Sequence, residues 1–417
     1  MNRKQLIILV LLGALIGGIG IFVYNRQAAS WKASDQAMGQ KILRDFPLND
    51  IAQIRIKQAE AELTLAKAED QWTVKERWNY PANFSEISDL LRKMWELKSV
   101  QTLKVGPSQY GRLELLSPDK EKGTNVGTLV QFNDKGGKAV QSLLIGKKVT
   151  RPSEGGSPFG GGDYPVGRYV ALVDNPQNVW LISETLTDVE AKPDHWLNKD
   201  FFKVEKLKSI EVTHPAGTNS WKVTREKEGG DLDLADKQAG EEFDKNKAYS
   251  AGNALSYPSF NDIVDPAAKP EEFGVDPVVA KIETFDNFAY TIKAAKAKGT
   301  NEDNFHLQMT VSADLVKQRT PGKDEKPEDK EKLDKEFQDK LKKLEDKLKQ
   351  EKSYEKWTYV VSKWTIDPIL KQRKDFLADK KADDKKPADH PGEIKLPETP
   401  KVETGLLPDA PPALPVK

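Results

Sequence analysis

Apolar and polar residues alternate with a period of two in many short segments of this chain, and with a period near 3.6 in two places only. Ile51-Ala52-Gln53-Ile54-Arg55-Ile56 and Leu207-Lys208-Ser209-Ile210-Glu211-Val212 have the alternation of half-buried strands. Each is followed by a turn and a strand carrying the same mark, Trp72-Thr73-Val74 and Trp221-Lys222-Val223. A helix comes next. Over Ser85–Leu97, the residues Ile87, Leu90, Leu91, Met94 and Trp95 fall on one face, with Ser85 in the N-cap place. The matching stretch, Lys247–Val264, has a weaker pattern in Ala251, Ala254, Leu255 and Ile263.

The parallel continues along the chain. Tyr110-Gly111 answers Phe273-Gly274, and the strand pair Thr128–Phe132 and Gln141–Ile145 answers Lys281–Phe285 and Tyr290–Lys293. Arg168–Val173 leading to Val179–Ile182 is matched with Thr358–Val361 leading to Trp364–Ile366, and the closing Trp196–Phe201 loosely resembles Arg373–Leu377. Ordered landmarks of this kind indicate an internal duplication. The expected architecture is α+β: two duplicated units of antiparallel sheet plus helix, over residues 45–195 and 196–378, preceded by one transmembrane helix.

The copies differ most where the second carries a charged insertion, residues 314–356, set against the glycine-rich stretch Pro152–Gly167 of the first. Phe337, Leu341, Leu344 and Leu348 fall at alternating d and a heptad positions among Lys, Glu and Asp. This reads as a helix or helical hairpin projecting from a β-hairpin, either a docking arm for a partner or a solvated insertion.

Both ends of the chain break the pattern. Leu6–Tyr24 is an uncharged apolar run, close to the roughly 20 residues that cross a bilayer core of about 30 Å. Arg3 and Lys4 precede it, while Arg26, Trp31 and Lys32 follow, as snorkelling and interfacial residues do. The expectation is an uncleaved anchor within residues 1–32, cytoplasmic at its start, holding the bulk of the chain outside the cytoplasm. A cleaved signal peptide is the rival; it fits less well because the run is long and Gln27-Ala28-Ala29 lacks the first small residue. Residues 379–417 alternate Lys with Asp and then become proline-rich, the composition of a disordered tail.

Composition narrows the chemistry. With 65 basic and 65 acidic residues there is no net charge, against the basic balance of nucleic-acid binders. The absence of cysteine excludes disulfides, thiolate catalysis and cysteine-ligated zinc. The four histidines, His195, His214, His306 and His390, show no metal-ligand spacing, and Asp194-His195 reads as a structural pair. Gly146-Lys147-Lys148 lacks the first glycine and the hydroxyl residue of a phosphate-binding loop, so Gly146 reads as a turn. No catalytic, metal or cofactor residue is expected. The tryptophans read mainly as core, with Trp78 and Tyr80, in the loop Trp78-Asn79-Tyr80-Pro81, as the best ligand-contact candidates.

Several of these landmarks together resemble the DUF4340 family: Ile51–Ile56 with Trp72-Thr73-Val74, Pro81-Ala82-Asn83, Tyr110-Gly111, and Leu143–Lys147 followed by Tyr169-Val170. The resemblance covers about residues 45–310 and resumes near 357–377; the charged insertion and proline-rich tail depart from it. It implies a setting more than an activity. Similar bacterial proteins are often encoded beside ABC-type transporters with gliding-type or auxiliary export components. By that resemblance this would be an accessory subunit of the inner membrane, contacting a permease or related envelope protein. A ligand-binding or sensing module is the alternative, and an envelope hydrolase the third reading.

Overall fold

A computed structural model describes Gly17 and residues 38–151, 164–268, 273–274, 276–297, 303–322 and 325–378. The anchor expected over Leu6–Tyr24, the glycine-rich stretch 152–163 and the tail 379–417 lie outside these residues, Gly17 apart. Among the described residues no helix is long and apolar enough to cross a membrane.

The fold is α+β with two antiparallel sheets. The first comprises β1 (Gln53–Lys57), β2 (Glu62–Ala68), β3 (Gln71–Val74), β4 (Tyr80–Pro81), β5 (Gln101–Lys104), β6 (Thr128–Asn133), β7 (Ala139–Arg151), β8 (Tyr164–Leu172) and β9 (Asn175–Ile182). The second comprises β10 (Leu207–Thr213), β11 (Trp221–Thr224), β12 (Asp233–Leu234), β13 (Asp262–Val264), β14 (Val278–Thr284), β15 (Phe288–Lys296), β16 (Asn304–Ala313) and β17 (Thr358–Ser362). The first sheet runs β4-β3-β2-β1-β6-β7-β8-β9-β5, the second β12-β11-β10-β14-β15-β16-β17-β13. From β3 and β12 onward the two orders are the same.

That topology corrects three of the landmark pairings. Trp72 lies on β3, but Trp221 lies on β11, the counterpart of β2; there Trp221 faces Val212 as Leu63 faces Ile56. Thr358–Val361 is in β17, the counterpart of β9 rather than β8, and Trp364–Ile366 is helical. The insertion therefore replaces the tight turn at Val173-Asp174 between β8 and β9, not the glycine-rich link between β7 and β8. A period-two pattern labels a strand as half-buried but does not number it.

Among the described residues, the sheets are accompanied by α1 (Phe84–Glu96), α2 (Tyr249–Gly252), α3 (Lys330–Lys352) and α4 (Lys363–Leu370). α1 buries Ile87, Leu90, Leu91 and Met94, as its periodicity predicts. Its N-cap is Asn83, not Ser85: the Asn83 side chain accepts from the Ser85 and Glu86 amides, at 3.1 and 3.5 Å. Trp95 points outward with the Lys41 ammonium 3.6 Å from its ring centroid. Gly146 is no turn, because it lies inside β7; a Cβ there would collide with the Leu113 carbonyl, which the 3₁₀ turn Gly111–Leu113 lays over the sheet.

One hydrophobic core runs through both sheets, from Ile42 to Phe376. Ile54 and Ile56 of β1 and Ile210 and Val212 of β10 are among its fully buried strand positions, each contributing about 1.5–3 kcal/mol. A smaller cluster of Leu115, Leu129, Leu144, Ala171 and Val179 fills the other face of the first sheet, beneath Tyr110 and Leu113. The shared core makes the described residues up to Leu377 one compact unit.

Candidate functional site

The seam between the sheets is built by the segment that joins them. After β9 the chain passes through a 3₁₀ turn, Pro193–Trp196, whose last residue is buried and donates from its indole nitrogen to the Glu190 carbonyl at 2.9 Å. The segment then lies along β4: the Asn83 amide donates to the Trp196 carbonyl and the Asn198 amide to the Pro81 carbonyl, at 2.8 and 2.9 Å. Phe201 and Phe202 continue into the core beside β17 and β15.

Tyr80 sits at the centre of this seam, 2% exposed. Its ring meets Trp357, Phe260 and Tyr359 edge-on, with centroids 5.0, 5.9 and 6.4 Å away. Burial pushes the Tyr80 and Tyr359 phenols well above the usual tyrosine range, so neither is poised for proton transfer near neutrality. Trp78, by contrast, is 40% exposed, in a left-handed conformation at φ 52° that ends the 3₁₀ turn Lys75–Arg77. The two residues expected to act together as a ligand contact are thus divided, Tyr80 into the core and Trp78 towards solvent. Between them in function is Arg77, whose guanidinium forks onto Asp262 of β13 at 2.6 and 2.7 Å. Lys199 adds a bond to the Asn261 carbonyl at 2.6 Å and lies over the Phe260 ring; burial lowers its ammonium pKa. Sequence spacing gave no sign of the Arg77–Asp262 fork, since the partners are 185 residues apart.

Two hollows open on the seam, of about 520 and 290 Å³, and share Gln71, Asn198 and Asp200 in their walls. The first adds Asp70, Phe84 and Lys199, the second Tyr354, Lys356 and Trp357. The first hollow has two acidic residues in its wall, Asp70 and Asp200, and the second has Asp200; among the described residues no group of three histidine or acidic side chains could hold a metal.

The insertion does not project as a free arm. α3 lies against the second sheet, with Leu344 and Leu348 packed on the core. Phe337 and Leu341 are half-buried beside a 270 Å³ hollow that Phe285, Leu315 and Val316 complete. Lys340 pairs with Asp286 at 3.0 Å, and Lys347 with Glu205 at 2.5 Å. Glu351, in the last turn, is only 4% exposed; it accepts from the Lys203 amide at 3.0 Å and the Tyr290 hydroxyl at 2.8 Å. Burial raises its carboxyl pKa, against those two donors and Lys347. Arg319 binds Glu325 and Asp334, holding the returning loop to the helix. The heptad stripe is real, but its partner is the sheet of its own chain: contact within one chain avoids the entropy loss of association.

A further concavity is a groove in the second sheet's flank, about 700 Å³, formed where α2 and the loop after it face α4. Leu255, Pro258 and Pro368 contribute to its apolar lining, and Asp303, Lys363 and Asp367 to its polar lining. Tyr257 and Trp364 also line it, at 81% and 78% exposure. The sequence reading placed Trp364 among core tryptophans of a closing strand; it stands instead on the outer face of α4. Thr365, Ile366 and Ile369 take that helix's buried face, which leaves Trp364 outward.

A family model described as "Domain of unknown function (DUF4340)" matches residues 72–278, from β3 across the seam to the first residue of β14. No curated protein and no solved structure matches the chain.

Proposed function

We propose that this DUF4340 domain-containing protein is a membrane-anchored extracytoplasmic scaffold, an accessory subunit of an ABC-type transport complex. It would be tethered in an inner membrane by Leu6–Tyr24 and built from two copies of one unit, residues 45–195 and 196–378. The observation that supports a scaffold over a binding clamp is the seam. A clamp needs two bodies that move about a hinge. Here the Tyr80 aromatic cluster, the Arg77–Asp262 fork and one continuous core join the sheets. The apolar run before residue 38 supports the tether, and the family resemblance supports the choice of partner.

α3 offers such a partner its exposed outer face, where Lys342, Lys343, Glu345, Asp346 and Lys349 lie. Deleting residues 314–356 is a poor test, since it removes Glu351 and Tyr354 from the core. Charge reversal at Lys342, Lys343 and Lys349 leaves packing intact. The full-length protein, crosslinked in its native membranes and purified in mild detergent, should carry an ABC permease or ATPase, and the charge-reversed form should carry less. Recovery of the protein alone, or its release from membranes by alkaline carbonate, would overturn the proposal.

A further inference from the structure

We infer that the groove between α2 and α4 is a saccharide-binding site, taking a short run of neutral pyranose units. This inference is independent of the scaffold reading. Its first support is the distribution of exposed apolar side chains. Among the described large hydrophobic residues the three most exposed are Tyr257, Trp364 and Tyr249, at 81%, 78% and 75%. Two of them line this one groove, and Tyr249 opens α2, its carbonyl held by the Asn253 side chain of the groove wall at 3.3 Å. Solitary exposed apolar residues are ordinary; this convergence of the largest and flattest is not. An aromatic ring offers a flat apolar face with a polar handle, suited to the C–H face of a pyranose ring.

The second support is the polar lining. Asp303 and Asp367 are exposed and engage no side chain of the described protein, and Lys363 forms no ion pair there. Asp119, Asp262 and Asp286, by contrast, are each held in an ion pair. Carboxylates accept hydrogen bonds from hydroxyls in several directions, and a lysine ammonium donates three. Pro368 lies inside α4 and has no amide hydrogen to give the Trp364 carbonyl, so that carbonyl lacks its usual helical donor four residues on. Polar groups of this kind in one groove with aromatic rings match a ligand that is polar on its rim and apolar on its faces.

Size and charge select among such ligands. The groove, about 700 Å³, falls within the usual range for a small-molecule site and is larger than a single sugar needs. Asp303 and Asp367 are set against Lys363, with the Lys371 ammonium on Ser250 at 2.8 Å and that of Lys203 6.0 Å from the Tyr257 ring centroid, so charges of both signs are present and a neutral ligand is favoured. A proline-rich peptide shares the liking for aromatic rings, but proline has no amide hydrogen to offer the Asp303 and Asp367 carboxylates.

The test is titration of the full-length protein with maltotetraose, cellotetraose, chitotetraose and mannotetraose. The protein is kept in a detergent without a sugar headgroup, because a maltoside would itself compete. Binding is followed by saturation-transfer NMR and tryptophan emission. At least one tetrasaccharide should bind; Trp364→Ala should weaken it by about tenfold or more, and Asp367→Ala by about fivefold. Both side chains are exposed, so thermal unfolding of the variants should match the parent and serve as the folding control. No binding of any of the four at about 20 mM would overturn the inference. So would binding that Trp364→Ala leaves unchanged, or tighter binding of a polyproline peptide than of every sugar.

Discussion

Replacing Arg77 with alanine tests the claim that two sheets act as one body. Both nitrogens of the guanidinium fork meet Asp262 at 2.6 and 2.7 Å, and the two side chains are 23% and 28% exposed. Fully exposed pairs are worth about 0.2–1 kcal/mol, and breaking a buried pair costs about 3–5 kcal/mol. A bidentate pair at this intermediate depth should show a coupling of about 1.5 kcal/mol. Without Arg77, Asp262 keeps the Ile263 amide at 2.9 Å and the nearby positive charge of Lys199, so the single substitution should cost about 2 kcal/mol rather than more. The assay is urea unfolding of the parent, Arg77→Ala, Asp262→Ala and the double variant, followed by tryptophan emission and far-UV circular dichroism. The double variant should cost less than the two singles together, and the coupling should shrink only modestly in strong salt. All four should unfold in one transition, because the core that spans the seam remains. A coupling below about 0.5 kcal/mol would refute the fork as a structural tie. Two separated transitions in Arg77→Ala would refute the shared core as what joins the sheets.

Glu351→Ala should destabilise by about 2–4 kcal/mol in the same assay, because it strands the Lys203 amide and Tyr290 hydroxyl, whereas Glu351→Gln should cost much less. The raised carboxyl pKa means that its contribution is largest below the unfolded value and is lost as pH rises through the folded value; Glu351→Gln should remove that part of the pH dependence. Asp119 behaves oppositely: hydrogen bonding from Arg55 holds its carboxyl down at about 2, so its contribution is present above the unfolded value near 4 and fades as pH falls towards 2. Asp119→Asn should flatten stability over that window, measured by urea midpoints at a series of acid pH values. Gly146→Ala should cost about 3 kcal/mol or more, or prevent folding, since its Cβ would strike the Leu113 backbone; an unchanged melting temperature would contradict the close approach.

The alternating pattern alone determined that this chain forms strands, that one 13-residue helix packs along a single face, and that the strands recur in two series. Those features are local: a strand's half-burial and a helix's stripe are written in residues two to four positions apart. Strand identity is not local, so Trp72 and Trp221 matched as letters while occupying different positions in their sheets. The same limit misplaced the insertion by one connection. The heptad stripe of Phe337, Leu341, Leu344 and Leu348 announced a partner without naming it, and only the folded chain shows that the partner is its own sheet. Tyr80 and Trp78 were alike in sequence, but the linker's return along β4 buried one and left the other out. Trp364 went unremarked as a surface residue because an eight-residue helix carries too few turns to show its buried face before Ile366 and Ile369 are seen against the core. Which side chains meet across 185 residues, and which face of a short helix turns to solvent, are decided by how the two sheets close on each other.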